Sequence, residues 1–344
     1  MTERVTSLEV ARRAGVSQSA VSRVFTKGAS VSDKTAEKVR QAAEELGYRP
    51  NVLARAMASG KSRMIGLVVA YLDNYFYPEA LEKLSTALQS RGYHVLVFMT
   101  ARADDSLDHV LAEILDYQVD GIVMASVSMS STIASRCQAA GVPVVLFNRS
   151  QDMPGITAVT SDNHAGGRDV ARFLNDGGHE RIAYLAGWEG ASTQRDREAG
   201  FRAGLIAAGV PLFDRVVGNY TSETARSATL ELFDRPADKR PDALFAANDH
   251  MAFVAMDVIR SELGLSVPDD VSVVGFDDVP PAAWPAYNLT TIRQRANAMV
   301  DRTVAALLDE IESPDTARPQ RITLDAPLIV RGSARRPAQS KSEG

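Results

Sequence analysis

The chain has 344 residues, 45% hydrophobic and 24% charged, the composition of a globular protein with room for two or three domains. No apolar run approaches the roughly eighteen residues that span a bilayer, MTERVTSLEV carries no apolar leader, and Cys137 is the only cysteine, so a cytoplasmic protein without membrane contact, disulfide or thiolate metal cluster is expected. The net charge of −5 is uneven: residues 1–63 hold twelve Lys/Arg against six Asp/Glu, the remainder twenty-six against thirty-seven, which suits a polyanionic partner for the first segment alone.

Thr6-Ser7-Leu8-Glu9 reads as a capping box, in which hydroxyl and carboxylate each satisfy the other residue's backbone amide. Val10, Ala11 and Ala14 form the inner stripe of this first helix, and Gly15 supplies the left-handed turn that ends it. Ser17 caps a second helix, Gln18 to Thr26, with Val21 and Val24 inward and Gln18, Ser19, Ser22 and Arg23 outward. Ser32 caps a third, with Ala36, Val39, Ala43 and Leu46 apolar and Gly47 as its stop. Two short helices joined by Ala14-Gly15-Val16, with a third packed across them, make a helix-turn-helix. A short helix presenting Gln and Arg suits a major groove, since Gln can bridge adenine N6/N7 and Arg guanine O6/N7. A small protein-binding helical module is the bland alternative; basicity and the position at the chain end argue against it.

The run Leu8-Glu9-Val10-Ala11, Ala14-Gly15-Val16-Ser17, Val21-Ser22-Arg23-Val24, then Val31-Ser32, Thr35, Val39, Leu46-Gly47-Tyr48 and Pro50-Asn51, resembles the headpiece of the lactose-repressor/galactose-repressor (LacI/GalR) family through residue 66. The resemblance implies base reading by Gln18, Ser19 and Arg23, with Thr6, Ser17 and Ser22 also at the DNA. Ala20 departs from the threonine common there.

Residues 51–59 can form two helical turns from Asn51, ended by Gly60, a helix too short to be stable alone in water. A plain linker helix is one reading. The resemblance implies instead a hinge, residues 51–62, that pairs with its copy in the minor groove, with Asn51 and Ala54 at the DNA and Met57 wedging a base step where relatives place leucine. The headpiece is then residues 1–50, and the hinge joins it to a core.

From residue 63 apolar runs alternate with helical patterns: Met64–Ala70, Tyr93–Met99, Gly121–Ala125, Val142–Phe147, Ile182–Leu185, Ala243–Ala247 and Val271–Phe276, with amphipathic stretches such as Glu79–Ser90 and Val170–Asn175 between them. That alternation means parallel sheets covered on both faces, and the length calls for two Rossmann-like lobes. The order resembles the type I periplasmic-binding-protein fold. The resemblance implies an N-lobe of about 63–161 and 291–322, a C-lobe of about 162–290 and 323–333, and a disordered tail over 334–344.

Catalytic readings find little support. G-x-G-x-x-G, G-x-x-x-x-G-K-[ST] and H-E-x-x-H are all missing from the sequence. Gly166-Gly167 can cradle a phosphate at a helix start or allow tight packing, and packing is the simpler reading. Asp104, Asp105, Asp108 and His109 mimic metal ligands, yet a solvated helix start explains them better. His179 reads as structural. No catalytic residue, cofactor or metal is expected.

Ligands of such folds sit at the carboxyl ends of strands, which here offer Asn74, Phe76, Tyr77, Asn148, Asp162, Arg197, Tyr220, Asn248 and Asp277. Aromatic faces with Asn, Asp and Arg suit vicinal hydroxyls. Each also has a dull explanation: Asn148 a turn, Asp277 a cap, Tyr220 core. In similar sequences Arg197 before Ala-Gly-Phe, Asn248 of Ala-Asn-Asp and the first Asp of Gly-Phe-Asp-Asp, Asp277, line the effector pocket, and Tyr220 falls where an aromatic often closes over the ligand. Trp188 and Trp284 are weaker candidates. The stretch His250–Leu263 reads as one helix that is apolar nearly all round, which requires burial on more than one side. By resemblance Phe253 faces a partner subunit, and the tail lacks the heptads of tetrameric relatives, so a homodimer is expected.

The expectation is a DNA-binding transcriptional regulator, most often a repressor in such a family, on a pseudo-palindromic duplex. A small effector, a sugar before a purine, controls it from between the lobes. A transporter's solute-binding protein and a Rossmann-type enzyme are the rivals.

Overall fold

The computed structural model describes residues 5–25, 29–49, 61–70, 72–100, 108–127, 129–151 and 155–337. The chain divides into two compact units, Met1–Arg63 and Met64–Gly344.

The first unit contains α1 (Ser7–Ala14), α2 (Gln18–Val24) and α3 (Asp33–Leu46). The capping box forms: Thr6 N donates to Glu9 Oε2 at 2.6 Å, and Glu9 N donates to Thr6 Oγ1 at 3.4 Å. Gly15 and Gly47 end their helices at φ 66° and 65°, a backbone that side-chain-bearing residues rarely adopt. Ser17 and Ser32 accept from Ala20 N and Thr35 N. The second helix stops at Val24, short of the expected Thr26, because Phe25 leaves the helix and turns its ring toward Tyr48, with centroids 6.0 Å apart. Val10, Val21 and Val39 meet at the centre, fully buried.

The second unit holds two six-stranded sheets. One, in the order β11-β5-β4-β3-β1-β2, is parallel throughout and comprises β1 (Met64–Val69), β2 (His94–Met99), β3 (Gly121–Ala125), β4 (Val144–Phe147), β5 (Thr157–Ser161) and β11 (Arg321–Leu324). The other, β12-β10-β9-β8-β6-β7, comprises β6 (Ile182–Ala186), β7 (Asp214–Val217), β8 (Ala243–Ala246), β9 (Ser272–Asp277), β10 (Thr290–Arg293) and β12 (Leu328–Ile329), with only β12 antiparallel. The chain passes between the sheets after β5, after β10 and after β11, so two Rossmann-like lobes share three crossovers.

The strands that lack an apolar run are β5 (TAVTS), β7 (DRVV), β10 (TTIR), β11 (RITL) and β12. Thr157, Thr290 and Thr291 in them are buried by pairing rather than by apolarity. Thr291 Oγ1 donates to Asp249, Thr157 Oγ1 to Glu310, and Thr290 Oγ1 accepts Arg331 N at 2.9 Å.

Gly166 and Gly167 belong to the helix Asn163–Asp176, which crosses Ser192–Ala208 backbone to backbone. A Cβ on Gly167 would stand 2.2 Å from Arg197 O, and one on Gly200 1.9 Å from His164 O. The glycine pair is therefore a packing device, not a phosphate cradle. His179 is buried and held by Arg335 at 2.8 Å and Asp242 at 3.4 Å.

Two further expectations change. Helix Asp249–Asp257 gives way to a π-helical turn at Val258–Glu262, so the segment to Leu263 is not one α-helix. Ala334 is 3% exposed and Arg335 N donates to Ser272 Oγ at 2.9 Å, so the ordered chain continues past the expected start of the tail. Phe253 packs on Tyr287, with ring centroids 4.3 Å apart, and is 6% exposed within one chain, which leaves its expected place at a subunit interface a proposal. Among the described residues no helix is long and apolar enough to cross a membrane.

Candidate effector cleft and DNA-facing helix

In the first unit the caps determine which side chains are left outward. Gln18, Ser19, Ser22 and Arg23 are exposed on α2, whereas Ala20 is buried, so its difference from threonine removes nothing from the outer face. Gln18 Nε2 donates to Ser7 Oγ at 2.9 Å, and Arg23 Nε reaches Ser19 O at 3.4 Å. Ser17 and Thr6 spend their hydroxyls on caps at the two helix N-termini, where backbone amides suit phosphate oxygens. Asn51, Ala54 and Met57 lie outside the described residues.

In the second unit the strand ends converge. Asn148, Tyr220 and Asp277 follow or end β4, β7 and β9 and have φ of 57°, 62° and 131°; Ser126 after β3, at 65°, joins them. Left-handed backbone at residues with side chains is strained, and its recurrence here makes the carboxyl edges of both sheets a candidate site. Asn148 and Asp277 do occupy a turn and a strand terminus, and Asn248 is a helix N-cap whose Oδ1 accepts Met251 N at 3.0 Å. These local roles leave other atoms over. Ser126 Oγ, Asn148 Oδ1 and Asn248 Nδ2 are buried with no hydrogen-bond partner in the chain, so they are polar atoms that a bound ligand can satisfy.

Asp277 is the hub, 3% exposed. Its Oδ1 accepts Gln294 Nε2 at 2.7 Å and Arg197 Nη2 at 3.3 Å, and its Oδ2 accepts Asn74 Nδ2 at 3.2 Å. Asn74 comes from the lobe of β1 and Asp277 from the lobe of β9, so this last bond spans the lobes. Arg149 Nη1 to Thr193 Oγ1, at 2.7 Å, and Ser150 N to Ser192 Oγ, at 3.0 Å, also span them. Arg197 further donates to Asn163 Oδ1 at 2.8 Å and Ala247 O at 2.5 Å, and its guanidinium lies 3.7 Å above the Phe276 ring. Burial holds the Asp277 carboxyl above the usual range; Arg197, Asn74 and Gln294 pull it back only in part.

Aromatic walls complete the arrangement. Phe76 and Tyr77 occupy the first turn of the helix Phe76–Ser90, and Phe76 stacks on Phe147 at 6.0 Å. Asn148 Nδ2 donates to the Tyr77 hydroxyl at 3.4 Å. The Tyr220 ring lies flat on Gly187, where a Cβ would approach within 2.1 Å, and burial raises its phenol above the ordinary value. Asn74, Asn148, Arg197, Tyr220 and Asp277 thus lie buried where the two lobes meet, with Phe76 and Tyr77 beside them and Asn248 next to Ala247, whose carbonyl accepts from Arg197.

Sequence reasoning missed Ser126, Arg149, Asn163, Thr193 and Gln294. Arg149 follows Asn148 at a recognised strand end and was within reach of the same rule. Gln294 was not, since β10 has no apolar run. Among the described residues no cluster of three metal-ligating side chains occurs.

A model of bacterial regulatory proteins of the lacI family matches residues 7–51, and one of the periplasmic binding protein-like domain matches residues 170–334. The HTH-type transcriptional regulator CelR of Thermobifida fusca is 34% identical over 333 residues, covering 94% of this chain and 96% of its own. A solved transcriptional regulator CelR–cellobiose complex has a TM-score of 0.72 at 32% identity, covering 96% of this chain and 100% of that one. A lac repressor dimer bound to operator and the anti-inducer ONPF reaches a TM-score of 0.85 at 28% identity, over 96% and 99% of the two chains. The chain belongs to the lacI family of bacterial regulatory proteins. It is a DNA-binding transcriptional regulator with a helix-turn-helix headpiece and a type I periplasmic-binding-protein core.

Proposed function

We propose that this regulator is a cytoplasmic homodimeric repressor, without catalytic activity, that a neutral sugar bound between the core lobes switches. The observation that carries the effector reading is the interlobe convergence on Asp277. A charged acceptor and a charged donor, Arg197, stand beside the amides of Asn74, Asn148, Asn248 and Gln294, a set that matches neighbouring hydroxyls. A sugar entering there takes over the Asn74–Asp277 bond and bridges the lobes itself. Because that bond depends on lobe separation, a ligand that replaces it binds the two lobe arrangements unequally, the requirement for coupling to DNA. The cellobiose complex of the similar regulator supports a carbohydrate.

On the DNA side we assign base reading to Gln18, Ser19, Ser22 and Arg23, with Thr6 and Ser17 at phosphates and the hinge, Asn51, Ala54 and Met57, in the minor groove. The domain limits expected from the sequence, 1–50, 51–62 and 63–333, accompany this assignment. Two headpieces related by a two-fold axis read a pseudo-palindrome. A selection from random duplexes should return an inverted repeat. A thermal-shift panel on the full chain, with cellobiose, ribose and other neutral sugars beside purines, tests the effector. Ligand at a hundred times its dissociation constant adds about 2.7 kcal/mol to core stability. Stabilisation by purines alone refutes the carbohydrate reading.

A further inference from the structure

A carboxyl group that none of the roles above uses stands beneath Asp277. Asp249 opens the helix Asp249–Asp257 and is fully buried. Its Oδ2 accepts Val279 N at 3.0 Å and its Oδ1 accepts Thr291 Oγ1 at 2.5 Å. It fits because Gly275 has no side chain: a Cβ there would stand 2.2 Å from Asp249 Oδ1. One carboxyl thus ties a helix start, β10 and the turn after β9 together. That turn carries Asp277 and Asp278 at φ 131° and 58°, a strained pair that persists only where its surroundings hold it. Val279 N, two residues past Asp277, is held from one side by Asp249, and Asp277 O accepts Gln294 N at 3.1 Å from the other.

The charged groups around Asp249 are Asp277, paired with Arg197, and Asp278, paired with Arg293 at 2.5 Å and Arg331 at 2.6 Å. His250, next on its own helix, is directed to Ser222 at 3.0 Å. Burial, and then the Asp277 charge, push the Asp249 carboxyl up to about 8, so it carries a proton at neutral pH. A neutral acid still accepts Val279 N on one oxygen, turns the Thr291 bond round so that its own O–H donates to Thr291 Oγ1, and spares Asp277 a second buried negative charge.

We propose that Asp249 is a positioning residue for effector recognition, its carboxyl holding the strained turn that aims Asp277 toward the other lobe. The effector role of Asp277 is taken from the preceding reading; the coupling of the two carboxyls is independent of it. Asn reproduces the protonated acid in shape and hydrogen bonding, since its oxygen can accept Val279 N while its amide meets Thr291. Ala removes both anchors.

The first test needs no ligand. Thermal unfolding of the full chain is followed between pH 5 and 9 for wild type, Asp249→Asn, Asp277→Asn and the double variant. A carboxyl raised in the folded state contributes stability that is complete below its ordinary value of 3.8 and is lost as pH rises through about 8. Wild type should therefore lose melting temperature across this range relative to Asp249→Asn. In Asp277→Asn the upper end of that loss should move down by about one pH unit or more, because the neighbouring charge is gone. Parallel profiles for wild type and Asp249→Asn, or a loss unmoved by Asp277→Asn, overturn the proposal.

The second test uses cellobiose with the same proteins and Asp249→Ala. Asp249→Asn should keep the wild-type shift at pH 7 and keep it at pH 9, where wild type weakens; Asp249→Ala should bind about tenfold more weakly or worse, the loss of one hydrogen bond or more. A wild-type shift that does not weaken by pH 9 counts against the proposal. If cellobiose shifts no variant, wild type included, cellobiose as effector fails, and the ligand-free profiles still decide the role of Asp249.

Discussion

Replacing Arg197 by methionine keeps much of the aliphatic stem over Phe276 and removes the guanidinium. Three hydrogen bonds go with it: to Asn163 Oδ1, to Ala247 O and to Asp277 Oδ1. Asp277 is left buried with only the amides of Asn74 and Gln294 as partners. Breaking one side of a buried ion pair costs about 3–5 kcal/mol, because the remaining charge keeps its desolvation penalty. That is a large part of the roughly 5–15 kcal/mol that holds a typical domain folded. The Asp277 carboxyl, already raised by burial, rises further without Arg197. A raised carboxyl loses its stabilising share as pH increases, so the variant should be more destabilised at pH 8 than at pH 5. Urea unfolding followed by tryptophan fluorescence measures this cleanly, since Trp188 and Trp284 both belong to the core unit. Adding Asp277→Asn to Arg197→Met should recover about 1–3 kcal/mol, as the stranded charge disappears. A single-variant loss under about 1 kcal/mol, or a double variant equal to the sum of the singles, refutes this account of the cleft.

Arg23→Ala should cost about 1–3 kcal/mol on the selected duplex and relax specificity at one base pair, whereas an equal loss on every sequence makes Arg23 a phosphate contact. Ser17→Ala removes a helix cap worth about 1 kcal/mol and should weaken binding to all duplexes alike; a change of preferred sequence contradicts a capping role. Gly200→Ala drives a methyl into His164 O, at 1.9 Å, and should destabilise the core by about 1–3 kcal/mol or more, measured in urea; unchanged stability shows that the two helices separate freely. In the proposed homodimer, with the Phe253 region at the interface, the Tyr287 ring packed on Phe253 stands nearer the partner, so Tyr287→Asp should shift sedimentation toward monomer at micromolar concentration, while Phe253→Leu should not.

The headpiece was legible nearly to the residue because its signals act over three or four positions. Thr6 with Glu9, Ser17, Ser32, Gly15 and Gly47 are local solutions to unsatisfied backbone groups, and no distant contact revises them. The buried central strands of the core were legible for the same reason: β1, β3, β4, β8 and β9 are continuous apolar runs. Where tertiary contacts supply the stabilisation, the local signal fails. Thr290 and Thr291 are fully buried in β10 because Arg331, Ser333 and Asp249 reach them, and nothing near them in the chain announces this. The termination of α2 at Val24 goes with the Phe25–Tyr48 contact, and the placement of Arg335 with its bond to Ser272.

For the cleft, the sequence by itself determined which residue types stand at the strand ends, because strand termini can be located from apolar runs. Only the tertiary structure decided that Asn74 meets Asp277 across 203 positions, that Gln294 joins them, and that Asp249 lies beneath. A hydrogen bond requires its partners within about 3 Å. Sequence periodicity says which side of an element faces inward, but it does not encode which distant element will be there to meet it.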